Sequence, residues 1–241
     1  NIPMVGIVSR LVSQKGLDLI SFMMPEIVNE NLQLVVLGTG ENQYQSMFHY
    51  YDSHYPSKVS ANITFDSALA QQIYAASDIF LMPSLFEPCG IGQMIAMRYG
   101  TLPIVRETGG LKDTVNPYNQ YTHEGNGFSF SNYNAHEMFF TLQKAVRLYH
   151  EDRNTWNILV RNAMNTDDSW SKSAKEYIKE GKMSDYQDHY YPSEMAVDAQ
   201  IQTFLMKKDS KAFLKKFDTD WVRYNRDIIR KVEDYEKSHN D

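Results

Sequence analysis

Three charged side chains stand where the sequence pattern places binding chemistry. Glu87 lies in Phe86-Glu87-Pro88-Cys89-Gly90-Ile91-Gly92-Gln93, between the apolar run Asp78-Ile79-Phe80-Leu81-Met82 and the helical pattern Met94-Ile95-Ala96-Met97. Arg10 and Lys15 lie in Ser9-Arg10-Leu11-Val12-Ser13-Gln14-Lys15-Gly16, between an apolar strand and a helix that opens at Leu17. In an open α/β sheet such strand-to-helix loops gather at the carboxyl edge, where ligands bind. A guanidinium offers a planar fork of donors and an ammonium a mobile point charge, so two cations on one loop suit a diphosphate. Taken singly, each residue also reads as an ordinary loop charge, with Glu87 solvated or helping to cap the helix that follows.

The elements that must position these residues alternate between strand and helix. Strands are predicted at Met4–Ser9, Gln33–Leu37, Ile63–Phe65, Asp78–Met82 and Leu102–Val105, with a short extended piece at Gly127–Phe130 closing one edge. Helices are predicted at Leu17–Asn29, Asn42–Tyr51, Ala68–Ala76, Ile91–Tyr99 and Ala135–His150, with two more at Asn154–Ala163 and Trp170–Lys179. Alternation of this kind implies a mostly parallel, Rossmann-like sheet wrapped by helices on both faces. Gly38-Thr39-Gly40-Glu41 follows the second strand. A lone G-x-G is a weak signal, open both to a tight turn and to backbone contact with a nucleotide. A dehydrogenase is disfavoured, because the first strand-to-helix loop carries cations in place of a G-x-G-x-x-G fingerprint.

Taken together, Ser9-Arg10-Leu11, Gln14-Lys15-Gly16, Glu87-Pro88-Cys89-Gly90, Thr101-Leu102-Pro103-Ile104-Val105-Arg106 and Thr108-Gly109-Gly110-Leu111-Lys112-Asp113-Thr114-Val115 resemble the bacterial and plant starch/glycogen synthases. The resemblance is to the C-terminal nucleotide-binding domain of these GT-B glycosyltransferases and covers roughly residues 4–178. It implies transfer of glucose from ADP-glucose to the non-reducing end of an α-1,4-glucan with retention. It also implies an N-terminal GT-B domain as partner, across a cleft that holds the acceptor. Arg10 and Lys15 are then the clamp on the departing diphosphate, and Glu87 accepts hydrogen bonds from the transferred glucose. Glu87 is not assigned as a nucleophile, since one carboxylate does not make a double-displacement pair.

By the same resemblance Gly38, Gly40, Tyr74, Cys89, Gly90, Ile91, Gly92, Thr108 and Gly109 join the nucleotide- and sugar-binding set. Tyr74 is open to two readings, stacking on adenine and packing in the core. Cys89 is expected to be a wall residue of the pocket, not a catalyst. Gly92 departs from the Thr more familiar at this point of the motif, which removes one hydroxyl donor and leaves the backbone amide. Other readings from the same residues are a related retaining GT-B transferase with another sugar nucleotide, and an inert binding or scaffold module.

Composition bounds the rest. With 241 residues, 42% of them hydrophobic and 22% charged, the chain has length for a sizeable core. A net charge of −6 argues against nucleic-acid and anionic-membrane partners. The single cysteine, Cys89, permits no intrachain disulfide and fits a cytoplasmic setting. His49 and His54 do not form a metal-ligand spacing, and charge neutralisation by Arg10 and Lys15 needs no divalent ion, so neither metal nor cofactor is expected. No apolar run reaches the length of a membrane span. The opening Asn1-Ile2-Pro3, immediately before a strand, is expected of a fragment. Residues 1–180 read as the nucleotide-sugar domain and 181–241 as a helical extension. That extension is open to three readings: an appended hairpin, an interaction or oligomerisation element, and sequence foreign to the domain.

Overall fold

A computed structural model of the chain describes residues 2–166. Six strands, β1 (Met4–Val8), β2 (Gln33–Leu37), β3 (Val59–Asn62), β4 (Ile79–Met82), β5 (Leu102–Arg106) and β6 (Phe128–Phe130), form one sheet in the order β3-β2-β1-β4-β5-β6. Every pairing is parallel. Between them run α1 (Leu17–Ile27), α2 (Asn42–His54), α3 (Ser67–Ala76), α4 (Gly92–Arg98) and α5 (Gly109–Thr114). Two further helices, α6 (Ala135–Glu151) and α7 (Arg153–Met164), follow β6.

Parallel strands need crossover helices, and the burial pattern shows where those helices sit. Along β4, Ile79 and Leu81 join the large core cluster with Ile7, Leu34 and Ile104, whereas Phe80 packs with Tyr74 and Ala96 in a separate one. Successive side chains thus enter different cores, so the sheet is covered on both faces. The helices supply the matching stripes. In α1, Leu17, Ile20, Met24 and Ile27 are buried at helical spacing; in α6, Met138, Leu142, Ala145 and Tyr149 are. Two helix starts, those of α3 and α6, are fixed by side-chain caps: Asp66 accepts from the Ala68 and Leu69 amides, and Asn134 from those of His136 and Glu137.

The strand expected at Ile63–Phe65 is a correction. The third strand is Val59–Asn62, in register with Leu34–Leu37. Ile63-Thr64-Phe65 has strand-like composition, but pairing with β2 is used up at Asn62, and Phe65 is 91% exposed on the way to the α3 cap. The short helix α5 has no counterpart in the predicted elements. Helix ends shift by a few residues, and the Trp170–Lys179 helix and the 181–241 extension lie outside the described residues.

The strand order places its reversal between β1 and β4. The loops leaving the two strands there border a crevice at the carboxyl edge. Arg10 and Lys15 follow β1, and Glu87 follows β4.

Candidate active site

The loop after β1 is braced before it reaches the crevice. Leu11 is fully buried and extends the sheet by one bridge: its N–H donates to the Thr39 carbonyl (2.8 Å), and its carbonyl accepts from the Glu41 amide (2.7 Å). Glu41 then accepts from the Ser13 amide at 3.1 Å and from the Ser13 hydroxyl. The Gln43 side-chain amide, and after it the Ser13 amide, hold the Glu41 carboxyl below its usual range. A single 3-10 turn over Ser13–Lys15 ends at Gly16, whose φ is +74°. A Cβ at Gly16 would lie 2.1 Å from the Pro83 carbonyl oxygen, so only glycine lets the β1 loop close on the loop after β4.

The two loops are then joined by their main chains. The Leu85 amide donates to the Gln14 carbonyl (2.9 Å), and the Gln14 side chain donates to the Phe86 carbonyl (3.3 Å). This lacing brings Lys15 Nζ to 2.5 Å from Glu87 Oε2, the one ion pair among the described residues. Both side chains are largely withdrawn from solvent, at 17% and 12% exposure, which strengthens their interaction over that of a surface pair. Ser84, itself buried, donates its hydroxyl to the same Oε2 at 3.2 Å. Oε1 has no hydrogen-bond partner among the described residues.

These groups line a crevice of about 240 Å³ whose walls include Arg10, Lys15, Tyr74, Ser84, Glu87 and Gly92. Arg10 is exposed at its mouth and makes no ion pair among the described residues. Ile91 is also part of the wall. Tyr74 is buried, its ring tilted against Phe80 at 4.9 Å, and burial pushes its phenol up to about 12. Packing in the core is therefore what its ring does here, with one edge at the crevice. Gly92 fits that packing: a Cβ there would stand 3.2 Å from the Phe80 ring and 3.3 Å from the Tyr74 hydroxyl. A Thr at this position would press on both.

The other sequence-derived candidates sit around the crevice and are not in its wall. Cys89 is exposed, and Gly90 bends the chain between Glu87 and α4 with φ +68°. Thr108 precedes α5, and Gly109 comes so close to Glu87 that a Cβ would lie 2.2 Å from its carbonyl oxygen. Gly38 and Gly40 meet the β1 loop: the Gly38 amide is taken by the Asn62 carbonyl, and Gly40 bridges Leu11. Their part here is to brace the loop that carries Arg10 and Lys15.

Three residues are not singled out by the sequence: Ser84 and Glu41 lie in loop stretches, and Arg106 falls one residue past the predicted strand Leu102–Val105, within a stretch that only the family resemblance marks. Arg106 donates Nε to the Ser84 carbonyl (2.9 Å) and a second guanidinium nitrogen to the Leu85 carbonyl. Only the three-dimensional meeting of β4 and β5 ends reveals it. Among the described residues no three His, Cys, Asp or Glu side chains converge as metal ligands, and no helix is long and apolar enough to cross a membrane.

With this geometry in view, comparison with known proteins identifies the domain. Residues 2–165 match the family model described as glycosyl transferases group 1. A glycogen synthase of Clostridioides difficile (strain 630) is 73% identical over 179 residues, which are 74% of this chain and 37% of that protein. A glycogen synthase of Clostridium acetobutylicum is 64% identical over 177 residues, again 37% of its length. The catalytic domain of starch synthase IV from Arabidopsis thaliana, solved bound to ADP and acarbose, superposes with a TM-score of 0.67 at 39% identity. That match covers 73% of this chain and 37% of the other. The chain therefore spans little more than a third of the length of the relatives it matches. The six-stranded parallel sheet with helices on both faces is one half of a GT-B architecture. The chain belongs to the group 1 glycosyl transferases, in the part of that family where glycogen and starch synthases lie.

Proposed function

We propose that this chain is the donor-binding part of a cytoplasmic glycogen or starch synthase. It would hold ADP-glucose while glucose passes, with retention, to the non-reducing end of an α-1,4-glucan. The observation that carries the reading is the Lys15–Glu87 pair at the carboxyl ends of β1 and β4, with Arg10 at the mouth of the same crevice. A diphosphate leaving group and a neutral sugar need opposite partners, a cation for one and an acceptor for the other. Both are present within one crevice.

In this mechanism the ion pair is a resting arrangement that the donor takes apart. Phosphate oxygens draw Lys15 from the carboxylate and join Arg10, so positive charge is already in place where negative charge grows on the departing ADP. Glu87 then has both oxygens to offer to glucose hydroxyls, and its charge favours an oxocarbenium-like state at the anomeric carbon. It acts as an orienting acceptor on a front-face path in which leaving group and acceptor hydroxyl meet on one side. Lys15 and Arg10 supply the electrostatics, and neither a metal nor a cofactor enters the step. The backbone at Gly92 lends its amide at the start of α4.

The acceptor glucan is expected to bind to the portion of the relatives that this chain does not span. Closure of two such parts on the substrate sets the reacting geometry, so the 241-residue chain alone is expected to bind donor weakly and turn over little. The test is calorimetric titration of the chain with ADP, UDP and ADP-glucose. Binding of ADP and ADP-glucose with UDP at least tenfold weaker supports the reading. UDP bound as well as ADP would reject the base assignment, and ADP-glucose bound no tighter than ADP would reject the sugar site.

A further inference from the structure

The geometry points to Arg106 as a positioning residue that sets Glu87 for the sugar through Ser84, an inference that rests on the donor-binding reading above. Arg106 is the last residue of β5, one strand over from the loop that carries Glu87. Its guanidinium spends two nitrogens on consecutive main-chain carbonyls, Ser84 (Nε to O, 2.9 Å) and Leu85. Ser84 in turn donates its hydroxyl to Glu87 Oε2 at 3.2 Å. Two hydrogen bonds therefore link the guanidinium to the carboxylate oxygen that Lys15 also holds.

The fork is itself anchored. The Arg106 guanidinium carbon stands 5.7 Å from the centre of the Tyr133 ring, and the Tyr133 hydroxyl donates to Asp18 Oδ1 at 2.5 Å. Asp18 is in the first turn of α1, directly after the loop that bears Lys15. Burial, and then the Asp18 bond and charge, push the Tyr133 phenol well above its ordinary range, so it stays a donor across working pH. The brace runs from α1 through Tyr133 and Arg106 to the Ser84–Glu87 turn. Arg106 makes no ion pair among the described residues, so its donors and charge fall on the turn. A planar fork can hold two adjacent carbonyls at once; a lysine ammonium in its place would not fix both with one geometry.

The experiment uses the full 241-residue chain and has two readouts. Amide hydrogen exchange of the ligand-free protein is compared in wild type, Arg106→Lys and Tyr133→Leu. The ratio of ADP-glucose to ADP affinity is then measured in the same proteins. Arg106→Lys is expected to speed exchange at residues 85–87 at least tenfold while Phe80 and Leu81 in β4 are unchanged. The preference for ADP-glucose should fall roughly fivefold with ADP itself within twofold, since Arg10 and Lys15, which take the phosphates, are on another loop. Tyr133→Leu removes the ring and keeps both carbonyl bonds, and is expected to give a smaller change at the same amides. Unchanged exchange at 85–87 in a folded Arg106→Lys protein would overturn the inference whatever the ligands do. So would an ADP-glucose preference kept at the wild-type level in a protein whose 85–87 exchange has risen. A wild-type chain that binds ADP but shows no preference for ADP-glucose would instead overturn the sugar-site reading, and exchange alone would then decide whether Arg106 holds the turn.

Discussion

Two surface clefts among the described residues have the same size, about 240 Å³ each, and only one of these two is equipped for chemistry. The first lies at the carboxyl edge between β1 and β4. The second lies beside β6 and α6 and is lined by Pro117, Tyr118, Phe128, Glu137, Phe140 and Lys144 among others. Both contain a carboxylate and an ammonium. In the second cleft these groups are spent on local structure: Glu137 accepts from the Asn132 amide and side chain, and Lys144 rests over the Tyr118 ring at 5.6 Å. In the first they face each other across two loops drawn together from different strands, with Arg10 beside them and Glu87 Oε1 open. Volume does not separate the two clefts. What separates them is whether opposite charges converge on one space and can be exchanged for a ligand.

That contrast is sharpest for the ammonium groups. Lys15→Ala is expected to weaken both ADP and ADP-glucose by about 30-fold, because a charge-assisted bond to phosphate is worth about 2 kcal/mol. Lys144→Ala in the second cleft is expected to leave both within twofold. Equal losses from the two variants would erase the distinction between the clefts.

A second separation concerns pH. The phenol of Tyr74, in the first cleft, is raised by burial to about 12, above an unfolded value near 10. Between those values the unfolded chain has released a proton that the folded chain still holds, so stability falls as pH rises from about 10 to 12 and is unaffected below. The loss is at most about 3 kcal/mol. Tyr74→Phe is expected to flatten that part of the stability curve, read as denaturant midpoints at successive pH values. A slope unchanged by the substitution would mean that the phenol is not withdrawn from water.

The smallest expected effect tests how Glu87 is held. Ser84→Ala removes one neutral donor from Oε2, worth about 1 kcal/mol, and is expected to weaken ADP-glucose about fivefold with ADP within twofold. Direct titration of both ligands checks it.

Much of this arrangement is legible in the residues themselves. Alternating strand and helix patterns fix the layer order, and Glu87, Arg10 and Lys15 stand out because each follows an apolar strand. The strand at Val59–Asn62 is not legible, because sheet register and not local composition decides where pairing ends, and Ile63-Thr64-Phe65 has the more strand-like residues. Tyr74 is ambiguous in sequence, since a buried ring and a stacking ring have the same helical context; the structure shows the ring packed on Phe80 with the residue also lining the crevice. Ser84 and Arg106 are hidden for a different reason. Their roles depend on hydrogen bonds across 22 positions of sequence, from β5 to the loop after β4, and no local pattern marks such a pair. Gly38 and Gly40 carry a signal with two meanings in sequence, and in the structure their closeness admits the Ser9 and Leu11 backbone.

The central claim is that the donor exchanges the Lys15–Glu87 pair for contacts of its own, phosphate to Lys15 and sugar to Glu87. Titration of ADP and ADP-glucose into Glu87→Gln tests it most directly. Freed from its carboxylate, Lys15 should bind ADP as well as or a few-fold better than before, while ADP-glucose should weaken about tenfold, so the two ligands respond differently. A Glu87→Gln protein in which both ligands weaken by the same factor would contradict the account, because Glu87 would then serve the fold of the crevice and not the sugar.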